Sequence, residues 1–124
     1  MLNTFDVAHA AALEAGAILS RYFREGFTIH NKGVADLVTD ADVAAERRVV
    51  EVIHAAFPDH AILGEEENAG DSSAEHLWVV DPLDGTTNFA HGVPHFAVSI
   101  AYMFQGKAEC GVIWNPIHDD LYVA

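Results

Sequence analysis

The sequence is poor in cysteine and has no long apolar run. Its one cysteine, Cys110, cannot form a disulfide within the chain, so we expect a protein of a reducing compartment, the cytoplasm. No stretch approaches the roughly 20 apolar residues that a membrane span needs, and we expect no membrane association. The N-terminus contains Asp6 and Glu14 and lacks the basic and apolar segments of a signal peptide, so none is expected.

Basic residues are scarce as well. The chain has 6 Lys and Arg against 19 Asp and Glu, which gives a formal net charge of −13. Direct binding of nucleic acid needs clusters of Lys and Arg, so this composition argues against it. Thirteen of the acids lie between Asp36 and Asp84, where only Arg47 and Arg48 offset them. This stretch is either a solvated acidic surface or contains a cation site, and charge alone favours the surface.

Apolar periodicity predicts two helices followed by strands. Residues 4–25 and 40–57 have apolar side chains at helical spacing, and Thr4 is a candidate N-cap of the first helix. Shorter apolar runs predict strands at residues 27–30, 61–63, 77–80, 96–104, 108–114 and 121–124, and residues 65–75 are predicted as a loop. This order indicates one α+β domain, in which two N-terminal helices pack on a mostly antiparallel sheet.

The most informative segment is Trp78-Val-Val-Asp-Pro-Leu-Asp-Gly-Thr-Thr-Asn88. Its apolar run ends in one carboxylate, Asp81, and a second, Asp84, follows three residues later. Gly85 and Thr86 then form a turn signal at the start of a predicted helix. Two close carboxylates repel each other unless a cation lies between them, and backbone N–H groups at a helix start suit a phosphate. The segment therefore predicts a site for a hard divalent cation and a phosphate.

Two further acids can join this pair. Glu65 follows the predicted strand at residues 61–63, and Asp42 lies in the first turn of the second helix. If the strands that precede Glu65 and Asp81 are neighbours, these two acids lie at the same edge of the sheet. Each candidate also has a simpler interpretation. Asp42 forms a capping-box pattern with Thr39, and Glu65 begins a Glu-Glu-Glu run that is typical of a solvated loop.

Taken together, these motifs resemble the inositol monophosphatase family, a group of magnesium-dependent, lithium-sensitive phosphatases. The matching segments lie in the family's order along the whole chain. They are Lys32-Gly33, Asp36-Leu37-Val38-Thr39 with Asp42, Gly64-Glu65-Glu66, and Asp81-Pro82-Leu83-Asp84-Gly85-Thr86-Thr87-Asn88-Phe89. The continuation to Pro94, and then Ala97 to Ile100, is most similar to the inositol monophosphatase branch. The resemblance implies the N-terminal portion of the layered αβαβα sugar-phosphatase fold.

The resemblance also implies a set of metal ligands. Glu65 and Asp81 would bind a first Mg²⁺ together with the backbone carbonyl of Leu83. Asp81 and Asp84 would bind a second Mg²⁺, so that Asp81 bridges the two. Two or three ions are expected in all, and Mn²⁺ is expected to substitute for Mg²⁺.

Catalytic and phosphate-binding roles carry over in the same way. Thr86 and Asp42 would orient and deprotonate the attacking water beside the metal held by Glu65. Backbone N–H groups of Gly85 and Thr86, next to Asp84, would hold the substrate phosphate. Phosphate monoesters hydrolyse so slowly that a general base alone cannot account for catalysis. Two cations about 4 Å apart can neutralise the charge on the attacking and leaving oxygens.

The implied function is Mg²⁺-dependent hydrolysis of a small phosphorylated polyol or sugar, with inositol-1-phosphate the foremost candidate. The sequence leaves two alternatives open. One is a non-catalytic module that binds metal and phosphate. The other is a different phosphatase of the family, acting on fructose-1,6-bisphosphate, a nucleotide 3′-phosphate or histidinol phosphate. The motifs do not identify which phosphomonoester is the substrate.

Chain length adds a further expectation. Members of the family are about twice as long, so we expect residues 1–124 to be the N-terminal metal- and phosphate-binding domain, with the family's C-terminal domain absent. The apolar residues of the later strands would then be partly exposed and would favour a homodimer. These residues are Phe96, Val98, Ile100, Val112, Ile113 and Trp114.

Overall fold

Two long helices pack against one face of a five-stranded sheet in this computed structural model, which describes residues 3–31 and 37–124. The helices are α1 (Thr4–Glu25), α2 (Asp40–Ala56) and the short α3 (Thr86–Ala90). The strands of the sheet, in spatial order, are β3 (Ala61–Gly64), β4 (His76–Asp84), β5 (Ala97–Phe104), β6 (Lys107–Asn115) and β7 (Asp120–Val123). Strands β1 (Ile29–Asn31) and β2 (Leu37–Thr39) form a separate antiparallel pair. The predicted α+β fold is confirmed.

Most predicted elements lie within a residue or two of the observed ones, with three exceptions. The strand predicted at residues 77–80 continues to Asp84. The N-cap of α1 is Asn3 and not Thr4, because the Asn3 side chain accepts a hydrogen bond from the Asp6 N–H at 2.8 Å. Strand β2 was missed, since three residues are too few for a periodic signal. The motif residues Lys32, Gly33 and Asp36 lie outside the described residues. No helix among those that are described is long and apolar enough to cross a membrane.

Small side chains let α1 lie close to its neighbours. Ala8, Ala12, Ala15 and Leu19 are fully buried, as their helical spacing predicted. On α2 the corresponding buried stripe contains Ala45, Val49 and Ile53. The two helices contact each other. In addition, α1 packs on β5 and β6, and α2 packs on β4. Burial of these apolar faces, and not helix propensity, holds the two helices in place.

The prediction that the later strands are partly bare is wrong for four of the six residues. Val98, Ile100 and Val112 are at most 1% exposed, and Phe96 is 3% exposed. Alternate residues of a strand point to opposite faces, and these lie on the face that the helices cover. Ile113 does lie on the other face and is 45% exposed. Trp114 is partly buried against the core.

Apolar exposure is greatest on the last strand. Leu121, Tyr122 and Val123 are 40%, 62% and 55% exposed. The expected homodimer stays a prediction.

Strand β3 runs parallel to β4, whereas β4 to β7 pair antiparallel. In the parallel pair Gly64 lies opposite Val80. Further along β4 the register with β5 shifts by one residue between Asp81 and Asp84, which is a β-bulge. Pro82, which has no N–H to donate to a neighbouring strand, lies in this bulge. The bulge interrupts regular pairing between the two predicted ligands Asp81 and Asp84.

Gly16→Ala tests how closely α1 packs against β6. A Cβ at residue 16 would lie 2.5 Å from Cδ1 and Nε1 of Trp114, so the ring or the helix must shift. Alanine favours a helix over glycine by about 1 kcal/mol, but overpacking a core costs about 1–3 kcal/mol. We expect the free energy of unfolding, measured in urea, to fall by about 1 kcal/mol.

The neighbouring exchange Ala17→Gly is the matched control, because residue 17 is exposed and its change affects helix propensity alone. It should also destabilise the protein, by about 1 kcal/mol. A more stable Gly16→Ala protein would contradict the close contact between α1 and Trp114.

Candidate metal and phosphate site

The parallel pairing of β3 and β4 places two predicted ligands side by side. Because Gly64 lies opposite Val80, the next residues, Glu65 after β3 and Asp81 within β4, lie at the same end of the parallel pair. Glu65 is exposed at the start of a loop, and Asp81 is half-buried in β4. The predicted juxtaposition of these two acids at one sheet edge is therefore found.

Asp81 lies within the negative field of the other predicted acids. Burial raises the pKa of the Asp81 carboxyl to about 6, and the charges of Glu65, Asp84 and Asp42 act in the same direction. The N–H of Leu83, 3.3 Å from Asp81 Oδ1, lowers this pKa but does not outweigh them. The charges of three other carboxylates thus act on Asp81. Such a cluster favours either a proton or a cation.

Asp42 forms the predicted capping box and also reaches Thr86, its predicted catalytic partner. It is 2% exposed, and its Oδ1 accepts hydrogen bonds from the Thr39 N–H at 2.6 Å and the Thr39 hydroxyl at 2.5 Å. The Asp42 N–H in turn donates to Thr39 Oγ1, which completes the capping box of α2. Its second oxygen, Oδ2, lies 3.0 Å from the Thr86 hydroxyl. The cap therefore leaves one carboxylate oxygen directed at Thr86.

The Thr86 hydroxyl has two acceptors within reach. These are Asp42 Oδ2 at 3.0 Å and the backbone carbonyl oxygen of Leu83 at 3.1 Å. A hydroxyl has one proton to donate, so the two acceptors compete for it. Leu83 itself is 2% exposed, and its packing fixes its carbonyl. Thr86 consequently lies between the predicted general base and the predicted carbonyl ligand.

Gly85 makes the turn from β4 into α3. Its φ of 96° and ψ of 36° are left-handed, a conformation that side chains disfavour. A Cβ there would also lie 3.0 Å from the carbonyl oxygen of His95. Asp84 is exposed at the end of β4, directly before this turn. The predicted phosphate-binding residues Asp84, Gly85 and Thr86 are therefore consecutive around one tight turn.

A cavity of about 380 Å³ lies beside Asp84 and Gly85. Nothing in the sequence predicted this cavity. Two polar contacts shape it: His118 Nε2 lies 2.9 Å from the Pro94 carbonyl oxygen, and Asn88 Nδ2 donates to the His95 carbonyl oxygen at 3.0 Å. The other lining residues come from strands β5 to β7 and the turns next to them; they are Phe96, Ala97, Ile113, Asn115, Asp120 and Tyr122. No spacing in the sequence indicated that these strands would meet the turn at Gly85.

The donor atoms suit a hard divalent cation in kind. Mg²⁺ prefers carboxylate and carbonyl oxygens, and the acids around Asp81 together with the Leu83 carbonyl supply them. Within the residues that the structure describes, however, no three His, Cys, Asp or Glu side chains lie close enough to hold one ion together. The negative charges of the carboxylates keep these side chains apart unless a cation between them offsets the repulsion. The precise ligand set therefore stays a prediction.

Comparison with known proteins identifies the family. The model of the inositol monophosphatase family matches residues 2–124, so the chain belongs to that family. The resemblance that the motifs indicated is thereby confirmed.

Individual relatives agree with this assignment. The Nus factor SuhB of Pseudomonas aeruginosa is 44% identical over 130 residues, which cover 100% of this chain and 48% of that protein. The inositol-1-monophosphatase of Rhizobium meliloti is 46% identical over 122 residues, which cover 96% of this chain and 46% of that protein. The crystal structure of the extragenic suppressor protein suhB from Bartonella henselae matches with a TM-score of 0.90 at 45% identity, covering 97% of this chain and 48% of that one. The chain thus spans about half the length of the relatives it matches.

The raised pKa of Asp81 makes cation binding depend on pH. Above its pKa of about 6 the carboxyl is ionised and free to bind a cation, and below it a proton competes. We expect Mn²⁺ affinity, measured by calorimetry, to fall about tenfold between pH 7.5 and pH 5.0. A carboxyl with the ordinary pKa of about 4 would lose less than twofold over this range. An affinity that is equal at the two pH values would contradict a cation ligand at Asp81 with a raised pKa.

Proposed function

We propose that this chain takes part in the Mg²⁺-dependent hydrolysis of phosphomonoesters. The observation that carries the proposal is the 3.0 Å hydrogen bond between Thr86 and Asp42, formed beside the cluster of acids around Asp81. A hydroxyl oriented by a buried carboxylate is suited to positioning and deprotonating a water molecule. Acids whose charges act on one carboxylate, as those near Asp81 do, are suited to holding the cations that such a reaction needs.

Each predicted residue has a place in this proposal. Glu65, Asp81 and the Leu83 carbonyl would hold the first Mg²⁺, and Asp81 and Asp84 the second. Bound there, Mg²⁺ would supply Lewis-acid charge to neutralise the phosphate and the leaving oxygen.

The remaining steps belong to the chain's own groups. Thr86 would orient the attacking water, and Asp42 would receive its proton through the hydrogen bond that joins the two side chains. Thr39 would hold Asp42 in place during this transfer. Its N–H and its hydroxyl both donate to Oδ1 of Asp42, which leaves Oδ2 for Thr86. Backbone N–H groups of Gly85 and Thr86 would hold the phosphate. Asp42, Glu65 and Thr86 are thus the proposed catalytic residues.

The substrate class rests on similarity and on the cavity beside Gly85. The Rhizobium meliloti relative is named an inositol-1-monophosphatase, and a small polyol phosphate suits a cavity of about 380 Å³ that opens at the phosphate turn. The chain is 44% identical to a Nus factor SuhB and 46% identical to this inositol-1-monophosphatase. The name of a relative therefore does not decide the activity. We propose inositol-1-phosphate or a related polyol or sugar phosphate as the substrate. Residues 1–124 would form the metal- and phosphate-binding domain.

Asp81→Asn tests the metal assignment. Asparagine keeps the shape of the side chain and removes the charge that both cations would share. In an assay of phosphate release from inositol, sugar and nucleotide monophosphates, we expect the Mg²⁺-dependent rate to fall at least about 100-fold, the upper end of losses for groups that only support a metal ligand. Mn²⁺ affinity should fall with it.

Asp59→Asn is the control for this change, because Asp59 is an exposed acid at the opposite end of β3. It should leave both the rate and the affinity unchanged. If the Asp81→Asn variant bound Mn²⁺ as tightly as the original protein does, Asp81 would not be a metal ligand. Metal binding by the unchanged protein without release from any substrate would instead identify a non-catalytic binding module.

Thr86→Val and Thr87→Val form a matched pair that tests the proton path. Both changes replace a hydroxyl by a methyl group in the first turn of α3, but only the Thr86 hydroxyl bonds to Asp42. We expect Thr86→Val to lower kcat by about 10²–10⁴, the range for loss of acid–base catalysis, with Mn²⁺ affinity retained. The exposed Thr87 should be dispensable. Equal rates in the two variants would count against a role for the Thr86 hydroxyl.

A further inference from the structure

Glu46 is a fully buried carboxylate to which the proposed reaction assigns no role. It is 0% exposed and lies in α2, four residues after Asp42. Residues four apart lie on the same face of a helix, so Glu46 and Asp42 both face the sheet edge where the site lies. A buried charge is expensive unless hydrogen bonds compensate it, so its partners indicate its purpose.

The partners of Glu46 all come from the loop after β3. Its Oε1 accepts the Glu66 N–H at 2.8 Å. Its Oε2 accepts the Glu67 N–H at 2.6 Å, the Asn68 N–H at 3.1 Å and the Asn68 side-chain amide at 2.9 Å. The Gly64 N–H also donates to the Asn68 carbonyl oxygen at 2.6 Å, which closes the loop on itself. One carboxylate thus gathers three consecutive backbone N–H groups.

The last residue of β3, Gly64, has no room for a side chain. A Cβ at Gly64 would lie 2.5 Å from Glu46 Oε1 and 2.6 Å from its Cδ. Glycine at this position therefore allows the carboxylate to lie directly beneath the strand end. The outer contact of the loop, between Arg47 and Glu67, is solvent-exposed, and exposed ion pairs contribute little. The buried Glu46 carboxylate therefore constrains the loop together with its backbone hydrogen bonds, such as Gly70 N–H to the Ile62 carbonyl oxygen.

Glu65 lies inside this constrained segment. On one side Gly64 is paired with Val80 of β4, and on the other the Glu66 N–H is bound to Glu46. The backbone of Glu65 is thus fixed at both ends, although its side chain is exposed.

We propose that Glu46 is a positioning residue that fixes the backbone of Glu65 for cation binding. This inference rests on the proposed function, because it takes Glu65 as a metal ligand. Helix α2 would then support the site at two places. Asp42 binds Thr86 in the turn after β4, and Glu46 binds the loop that contains Glu65. If Glu46 served folding alone, its replacement in a protein that still folds would leave metal affinity unchanged.

Glu46→Gln tests this proposal. Glutamine has nearly the same shape, but its NH₂ group replaces one acceptor and meets N–H donors of the loop. We expect Mn²⁺ affinity to fall about 10- to 100-fold, the range for groups that support a metal ligand. Hydrogen exchange at the amides of residues 66–68 should accelerate, with exchange in β4 and β5 unchanged. Glu67→Gln is the matched control, since it breaks the exposed Arg47 contact and leaves the N–H bond to Glu46 in place.

A milder change covers the case in which Glu46→Gln does not fold. Asn68→Ala removes one side-chain donor and keeps the backbone bonds, and it should lower Mn²⁺ affinity severalfold. Unchanged Mn²⁺ affinity in Glu46→Gln, or in Asn68→Ala where Glu46→Gln is unfolded, would overturn the inference and leave the proposed function standing. Absence of Mn²⁺ binding in the unchanged protein would overturn both.

Discussion

The parallel pairing of β3 with β4 is the constraint on which the site depends. In an antiparallel pair, Glu65 and Asp81 would leave at opposite ends of the strands. The register that sets Gly64 opposite Val80 instead brings both acids to one edge. A parallel pair needs a crossover connection, and the loop from residue 65 to residue 75 supplies it. That loop must begin at the site itself, so its conformation affects the position of Glu65.

Helix α2 is the second element that joins the parts of the site. Two of its carboxylates, Asp42 and Glu46, are almost fully buried, and each is bound by hydrogen-bond donors from outside the helix. Buried charges of this kind contribute little to stability when compared with apolar groups of similar volume, but they select one arrangement of their partners. Together they link α2 to the turn after β4 and to the loop after β3. Packing of α2 on β4 holds these links in register.

The sequence predicted the two long helices well, because helical spacing is a strong local signal. The motif around Asp81 is also a local signal, and the ligand set that it implies stays a prediction. The Thr39–Asp42 capping box and the shared edge of Glu65 and Asp81 followed from the same reasoning. Glu46 was not predicted, because an acid within an acidic helix looks like a solvated residue until its partners are known. The cavity wall near His118 was missed for a related reason. Both depend on contacts between segments that are distant in the sequence, which local patterns do not encode.

In the proposed site, acids from α2, from β4 and from the loop after β3 bind divalent cations together. Paramagnetic broadening of backbone amide signals by substoichiometric Mn²⁺ tests it directly, since the effect falls steeply with distance from the ion. We expect the strongest broadening at residues 64–66 and 81–86, with a weaker effect near Asp42. Broadening centred on other acids, such as Asp71 or Asp119 and Asp120, or spread evenly over the acidic surface, would contradict the account.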